Sequence, residues 1–462
     1  MKTRKNFMKT LALLLITVIV LSLAACKNSD LSVAEFSQGN KKNSDMEDNA
    51  PSERNGGNDD RARHDREIPE EAEGDWAYNG DDYYREDDLD YRPERRGHVI
   101  GGEQSQFPEI SAGTLTAGEW RDNRNWDDWV DLFESGQFSR NSVWGNMINR
   151  WQLNPTERVS VRVTKGGVVV RNAKVELVNV ADDRKQSETI LWTARTDHEG
   201  MAYLFGRSFV RNSRKHSSAD YIRVDSGNLI EVNTDFMEIN TGKFAKENFR
   251  LSLDLMLVLD TTGSMDDELR YLQAELEDVV NEVKRGKSNL PVRLSVNFYR
   301  DHGDDYVVLP YEFTTDIRKA NIILGEQSAA GGGDWPEALD EALINAVFEH
   351  DWKEDSVKVM LLVLDAPAHN RHDAIRNLQE AIEGAARKGI RIIPVMASGN
   401  GSDYDLDTEF LLRTFAVMTG GTFTFLTDHS GVGNTHAEPT IGAYQVEKLN
   451  EALIRIMNEY LT

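Results

Sequence analysis

Oxygen ligands stand at alternate positions in one short stretch of this 462-residue chain: Asp260, Thr262 and Ser264, within Asp260-Thr261-Thr262-Gly263-Ser264. The stretch follows the apolar run Leu255-Met256-Leu257-Val258-Leu259 and precedes an acidic, helix-like segment, so it reads as the carboxyl end of a strand. One carboxylate and two hydroxyls on a tight loop are hard ligands, the kind that Mg²⁺, or Ca²⁺ or Mn²⁺, takes. Two further loops are of similar chemistry. Gly331-Gly332-Gly333-Asp334-Trp335-Pro336-Glu337 has glycines that let backbone approach closely and a proline suited to the first turn of a following helix. Asp365 closes the apolar run Val359-Met360-Leu361-Leu362-Val363-Leu364. The candidate metal ligands are therefore Asp260, Thr262, Ser264, Asp334 and Asp365. Helix capping is the plainer reading of two of them, with Ser264-x-x-Asp267 as a capping box and Asp334 as a cap near Pro336. Each cap accounts for one loop, whereas three oxygen-rich loops at strand ends point to a cation. His302 and His369 lie near these loops in sequence and are candidate partner contacts.

The elements that must position these loops are legible from periodicity. Apolar strands at 253–259, 294–299, 357–364 and 390–395 alternate with helical segments, which predicts a parallel sheet with helices on both faces. In such open sheets, ligands bind outside the carboxyl ends of the strands. Leu269, Leu272, Leu276, Val279, Val280 and Val283 fall on one face at 3.6-residue spacing and mark the helix after the first loop. Val446, Leu449, Leu453, Ile456 and Tyr460 mark a last helix, after which no further module is expected.

With all three loops in order, residues 251–462 resemble a von Willebrand factor type A domain, and Asp260-x-Thr262-x-Ser264 resembles the first motif of its metal-ion-dependent adhesion site. The resemblance implies that Ser264 and Thr262 coordinate the metal directly and that Asp260 and Asp365 do so directly or through water. It also implies a vacant position for an oxygen from a partner. Thr262 replaces the commoner serine and keeps the hydroxyl. Asp334 replaces a common threonine, so three carboxylates around a divalent ion leave a net charge near −1 and make a partner carboxylate less welcome. The runs Tyr299-Arg300-Asp301-His302-Gly303-Asp304 and Asp365-Ala366-Pro367-Ala368-His369 resemble a subgroup found beside atypical α-kinase domains, although no kinase module is expected here.

The remainder of the chain reads as carrier. Lys2, Arg4, Lys5 and Lys9 precede an apolar stretch, 11–25, too short to span a bilayer, and it ends on Leu23-Ala24-Ala25-Cys26, which looks like a bacterial lipobox. Residues 1–25 are thus expected to be a lipoprotein signal, with an uncleaved anchor or a plain secretory signal as alternatives, and Cys26 is the lipid attachment site. Cys26 is also the one cysteine, which leaves no internal disulfide. Residues 26–106 are polar and of mixed charge, a disordered tether. Residues 107–156 carry Trp120, Trp126, Trp129, Phe133, Phe138, Trp144 and Trp151, expected to pack onto a neighbour or else to offer a stacking platform.

Period-two apolar runs at Val159, Val161, Val163 and at Ala173, Val175, Leu177 make 157–250 a separate all-β unit. It resembles the small β-sandwich of carboxypeptidase-regulatory-like and collagen-adhesin B-type repeats, a likeness that implies a spacer. Asp403, Asp405, Asp407 and Glu409 alternate like the start of an EF-hand loop but lack its glycine and closing glutamate, and read as a solvated turn.

The fold class expected is therefore α/β, with a doubly wound, mostly parallel sheet preceded by a small sandwich and a tether. A formal charge of −25 excludes nucleic acid as a partner. The function expected is a lipid-anchored, exported protein, not an enzyme, that binds a divalent cation and a protein partner at the metal face. A metal-dependent hydrolase using His302 or His369 as base and a scaffold with a purely structural metal are the alternatives.

Overall fold

The computed structural model describes residues 111–462 except 135–142, 182–186, 210–217, 243–250, 400–402 and the single positions 267, 288, 334 and 434. The expected signal, Cys26, the tether and Asp334 lie outside the described residues. Residues 100–462 cluster as one compact unit.

Leu253–Asp260 is buried at every position, as a strand covered on both faces must be. Its side chains alternate between two cores. Leu253, Leu255, Leu257 and Leu259 enter one, and Met256 and Val258 the other. Each such burial contributes about 1.5–3 kcal/mol. Parallel neighbours are Val292–Tyr299 on one side and Val357–Leu364 on the other. Ile390–Met396 and Phe423–Leu426 extend the sheet beyond Val357–Leu364, also in parallel. In chain order these five strands lie 2-1-3-4-5, so the direction of winding reverses between Leu253–Asp260 and Val357–Leu364. That gap is the topological switch point, where a doubly wound sheet opens a crevice. Asp260 ends one of its strands and Asp365 directly follows the other.

Helices Leu269–Gly286 and Leu449–Tyr460 cover the first core with Leu272, Leu276, Val279, Leu449, Leu453 and Ile456. Leu339–Phe348, His372–Lys388 and Asp403–Thr419 cover the second.

The sheet also recruits a distant strand. Thr116–Trp120 pairs antiparallel with Phe423–Leu426 and carries the two-residue strand Glu447–Lys448 on its other edge. Its approach is fixed by Glu275, whose buried carboxylate accepts from the backbone N–H groups of Gly113, Thr114 and Leu115 at 2.8–2.9 Å. The aromatics that follow pack. Trp129, Trp144 and Trp151 are buried, and Trp129, Phe133 and Trp144 meet edge to face, with Phe133 also against Phe410.

Phe410 belongs to the segment expected to be a solvated turn, and there the structure corrects the sequence reading. Asp403–Thr419 is a helix, with Asp407 and Glu409 buried rather than hydrated. Asp407 accepts the indole N–H of Trp151 at 2.8 Å and pairs with Arg150 at 2.9 Å. Glu409 and Asp122 clasp Arg413 at 2.8 and 2.6 Å, and all three are buried. The Arg413 guanidinium also lies 4.7 and 5.1 Å from the rings of Trp129 and Trp144.

Residues 159–240 supply two four-stranded sheets. Val159–Lys165 is flanked by Met201–Leu204 and Phe236–Asn240, and Lys174–Ala181 by Glu188–Arg195 and Ser218–Val224. Their inward residues, among them Val161, Val175 and Trp192, are continuous with the second core of the α/β sheet. Helix His372–Lys388 packs against Glu188–Arg195.

Candidate functional site

Three loops meet at the switch point, and backbone hydrogen bonds lock them together. Ala330 donates to the carbonyl of Thr261 at 3.0 Å, and Gly263 to that of Gly331 at 3.2 Å, which joins the first loop to the second. Glu337 donates to the carbonyl of Pro367 at 3.0 Å, which joins the second to the third. Glycine is required at 331. Its φ is +79°, and a Cβ there would stand 2.3 Å from the carboxylate of Asp304. The same carboxylate accepts from the N–H of Gly332 at 2.9 Å and of Asp301 at 3.1 Å. Buried Arg300 braces the first loop from behind, donating to the carbonyls of Thr261 and Ser328 at 3.1 and 2.9 Å.

Within this frame Asp260, Thr262 and Ser264 converge. Asp260 Oδ1 accepts from the backbone N–H and hydroxyl of Thr262 at 2.9 and 2.7 Å, and the hydroxyls of Thr262 and Ser264 are 3.2 Å apart. Capping does not employ Ser264. The following helix begins at Leu269, with Glu268 at its N-cap and no side-chain cap. Nor does a helix begin near Pro336, because the helix after the second loop starts at Leu339. Asp365 faces the same crevice. It is buried, both its carboxylate oxygens lack a hydrogen-bond partner, and Oδ2 of Asp260 lacks one as well.

The electrostatics follow from that burial. Desolvation lifts the Asp260 carboxyl to about 6, against the hydrogen bonds from Thr262. Desolvation and the neighbouring Asp260 charge push Asp365 well above the carboxylate range. Glu337, from the second loop, was not among the candidate ligands, yet it stands in the same field. Burial, then the charges of Asp260, Asp301 and Asp365, push it up to about 10. Tyr299 is buried beside these groups, and desolvation followed by the charges of Asp260, Glu337 and Asp365 holds its phenol protonated. Glu268, fully buried, forms an ion pair with His436 at 3.0 Å. Sequence signals for Glu337 existed in its quoted loop, but a glutamate just ahead of a helix reads first as a favourable charge at the helix N-terminus.

Of the two histidines, His369 is mostly buried and bonds Asp301 at 2.7 Å. His302 is exposed on the rim, 3.4 Å from Glu341 and 3.1 Å from an Arg371 nitrogen, and the two imidazoles lie 5.8 Å apart.

A set of unpartnered carboxylate oxygens joined to two hydroxyls fits a hard divalent cation, with Asp260, Thr262, Ser264 and Asp365 able to hold it. Among the described residues no three His, Cys, Asp or Glu side chains gather closely enough to hold an ion by themselves.

The sequence pattern of the von Willebrand factor A domain matches residues 254–428. Those residues form a von Willebrand factor A domain. The matched range contains all three loops, while the strand Thr116–Trp120 and the helix Leu449–Tyr460 lie outside it.

Among curated relatives, 193 residues are 25% identical to a putative ariadne-like RING finger protein of Acanthamoeba polyphaga mimivirus, covering 38% of this chain and 18% of that protein. A stretch of 141 residues is 22% identical to the alpha-protein kinase vwkA of Dictyostelium discoideum, covering 30% and 22%. The chain thus spans about a fifth of the length of these relatives. Solved structures similar to part of this chain include BatB from Bacteroides thetaiotaomicron, at 14% identity over 45% of this chain and 98% of that one, with a TM-score of 0.32. Another is an aerotolerance-related membrane protein from Bacteroides fragilis, also 14% identical, with a TM-score of 0.29. Among the described residues no helix is long and apolar enough to cross a membrane.

Proposed function

We propose that the A domain binds a divalent cation, Mg²⁺ first among candidates, and captures a protein partner at that face. The carrying observation is the convergence of Asp260, Thr262, Ser264 and Asp365 at the switch point with carboxylate oxygens buried and unpartnered. Buried carboxylates without partners are expensive, and a bound cation is the chemistry that offsets them. Asp334, a further candidate ligand by sequence, lies outside the described residues. Binding is the role proposed; His369 bonds Asp301, and His302 lies beside Arg371 and Glu341 on the rim.

The lipobox-like Leu23-Ala24-Ala25-Cys26 supports export and lipid anchoring, with 26–106 as tether. Calorimetric titration of Mg²⁺ into the full chain tests the metal. Wild type is expected to give a saturable heat, and Asp260→Ala none, with far-UV circular dichroism confirming that the variant folds. Indistinguishable heats from the two proteins would end the metal reading. Mass analysis of the membrane fraction for a diacylglyceryl group on Cys26, lost in Cys26→Ser, tests the anchor.

A further inference from the structure

A cavity of about 870 Å³ opens beside the metal loops, lined among others by Ser264, Trp335, Asp365, Ser398, Asp405 and Glu438. Its size falls among pockets that enclose small ligands or several side chains, roughly 300–1,000 Å³. Its lining is acidic. Asp365, Asp405, Glu409 and Glu438 face a single basic group, His436, and that imidazole is already held between Glu268 at 3.0 Å and Asp428 at 2.8 Å. Glu409 is committed to Arg413 and to the N–H of Thr440, each at 2.8 Å.

Two observations independent of charge point to a polar ligand. The Ser398 hydroxyl, in a side chain only 4% exposed, has no hydrogen-bond partner. The indole N–H of Trp335, another lining residue, has none either. Unpaired buried polar groups cost free energy until a ligand meets them.

Resting on the reading of this face as a partner-binding face, we propose that the cavity receives a basic side chain, arginine foremost, from the protein partner. A guanidinium offers five donors in a planar fork, suited to the carboxylate of Glu438 and to the Ser398 oxygen. It can also stack on Trp335. The carbonyl of the residue that carries it is a natural acceptor for the Trp335 N–H. An acidic or phosphorylated ligand would meet the carboxylates of Asp405 and Glu438 and is disfavoured by them.

The test uses the full chain with two synthetic peptides, acetyl-Gly-Arg-Gly-amide and acetyl-Gly-Glu-Gly-amide, titrated by saturation-transfer NMR in Mg²⁺ and again in EDTA. The arginine peptide is expected to bind at least tenfold more tightly than the glutamate peptide. The double substitution Ser398→Ala/Glu438→Gln should weaken it at least tenfold while leaving the thermal midpoint within 2 °C of wild type. Equal binding of both peptides, or binding unaffected by the double substitution, overturns the proposal. A Mg²⁺ heat without arginine-peptide binding overturns it and leaves the metal reading standing. Selective arginine binding retained in EDTA with no Mg²⁺ heat does the reverse.

Discussion

Asp365→Asn separates a metal site from a structural loop by reversing a stability order. In the wild type both oxygens of this buried carboxyl lack partners, and Asp260 stands close enough to raise its pKa. Leaving a buried polar group unsatisfied costs about 1–3 kcal/mol, and more when it is charged. Asparagine keeps the shape and has no proton to release on unfolding, so at neutral pH without metal it escapes the penalty of the raised carboxyl and is expected to be more stable by at least about 1.4 kcal/mol, the worth of one pKa unit. A cation that binds only the folded wild type adds RT ln(1 + [L]/Kd), about 2.7 kcal/mol at a hundredfold excess over Kd. Saturating Mg²⁺ should therefore bring the wild type level with the variant or past it, while the variant stays where it was. Urea unfolding in EDTA and in Mg²⁺ reads both terms from one transition midpoint. A variant less stable than wild type in EDTA would show that Asp365 is held by partners rather than waiting for one. Equal stabilisation of both proteins by Mg²⁺ would place the ion elsewhere.

Arg413→Met should cost about 3–5 kcal/mol in urea unfolding, since it strands the buried carboxylates of Asp122 and Glu409. Adding Asp122→Asn and Glu409→Gln should recover much of that loss, and a single-variant loss below about 1 kcal/mol would refute the assignment. Lys358 is buried, donates to the carbonyls of Glu354 and Ser356, and is lowered by desolvation to about 8 from 10.5. Because the unfolded chain then binds the proton more tightly, the cost is fully present below pH 8 and is relieved as pH rises towards 10.5. Relative to Lys358→Met, wild type should gain up to about 3 kcal/mol across that window, and a flat difference would contradict it.

The parallel strands were legible because burial on both faces leaves an unbroken apolar run that no competing pattern imitates. Leu253–Asp260 and Val357–Leu364 are of this kind, and the loops that follow them carried Asp260, Thr262, Ser264 and Asp365 to the site. The edge of the sheet was not legible. Thr116–Trp120 shows no alternation, and its Gly118 is there for close approach: a Cβ would lie 2.4 Å from the ring of Phe425, more than 300 positions away. The acidic run 403–409 misled for a related reason. Alternating carboxylates resemble a cation loop or a hydrated turn until their partners are known, and Trp151 and Asp122 stand 256 and 291 residues from the groups they bind. Only Glu409 and Arg413, four apart on one helix face, were pairable locally.

Those long-range pairs tie the aromatic segment to the binding face. The helix Asp403–Thr419 presents Asp405, Leu406 and Glu409 to the cavity, and between them Asp407 is held by Trp151. One turn on, Arg413 binds Asp122 and also the carbonyl of Thr440, whose side chain lines the same cavity. The cavity wall is thus positioned from outside the A domain. A chain cut at 251 would bare the Phe423–Leu426 edge that Thr116–Trp120 covers and would take Trp151 from Asp407 and Asp122 from Arg413. An open apolar edge invites association with other chains. It follows that the folded unit carrying the proposed site begins before Thr116, and that substitutions at Trp151 or Asp122 should alter any binding at a face they never touch.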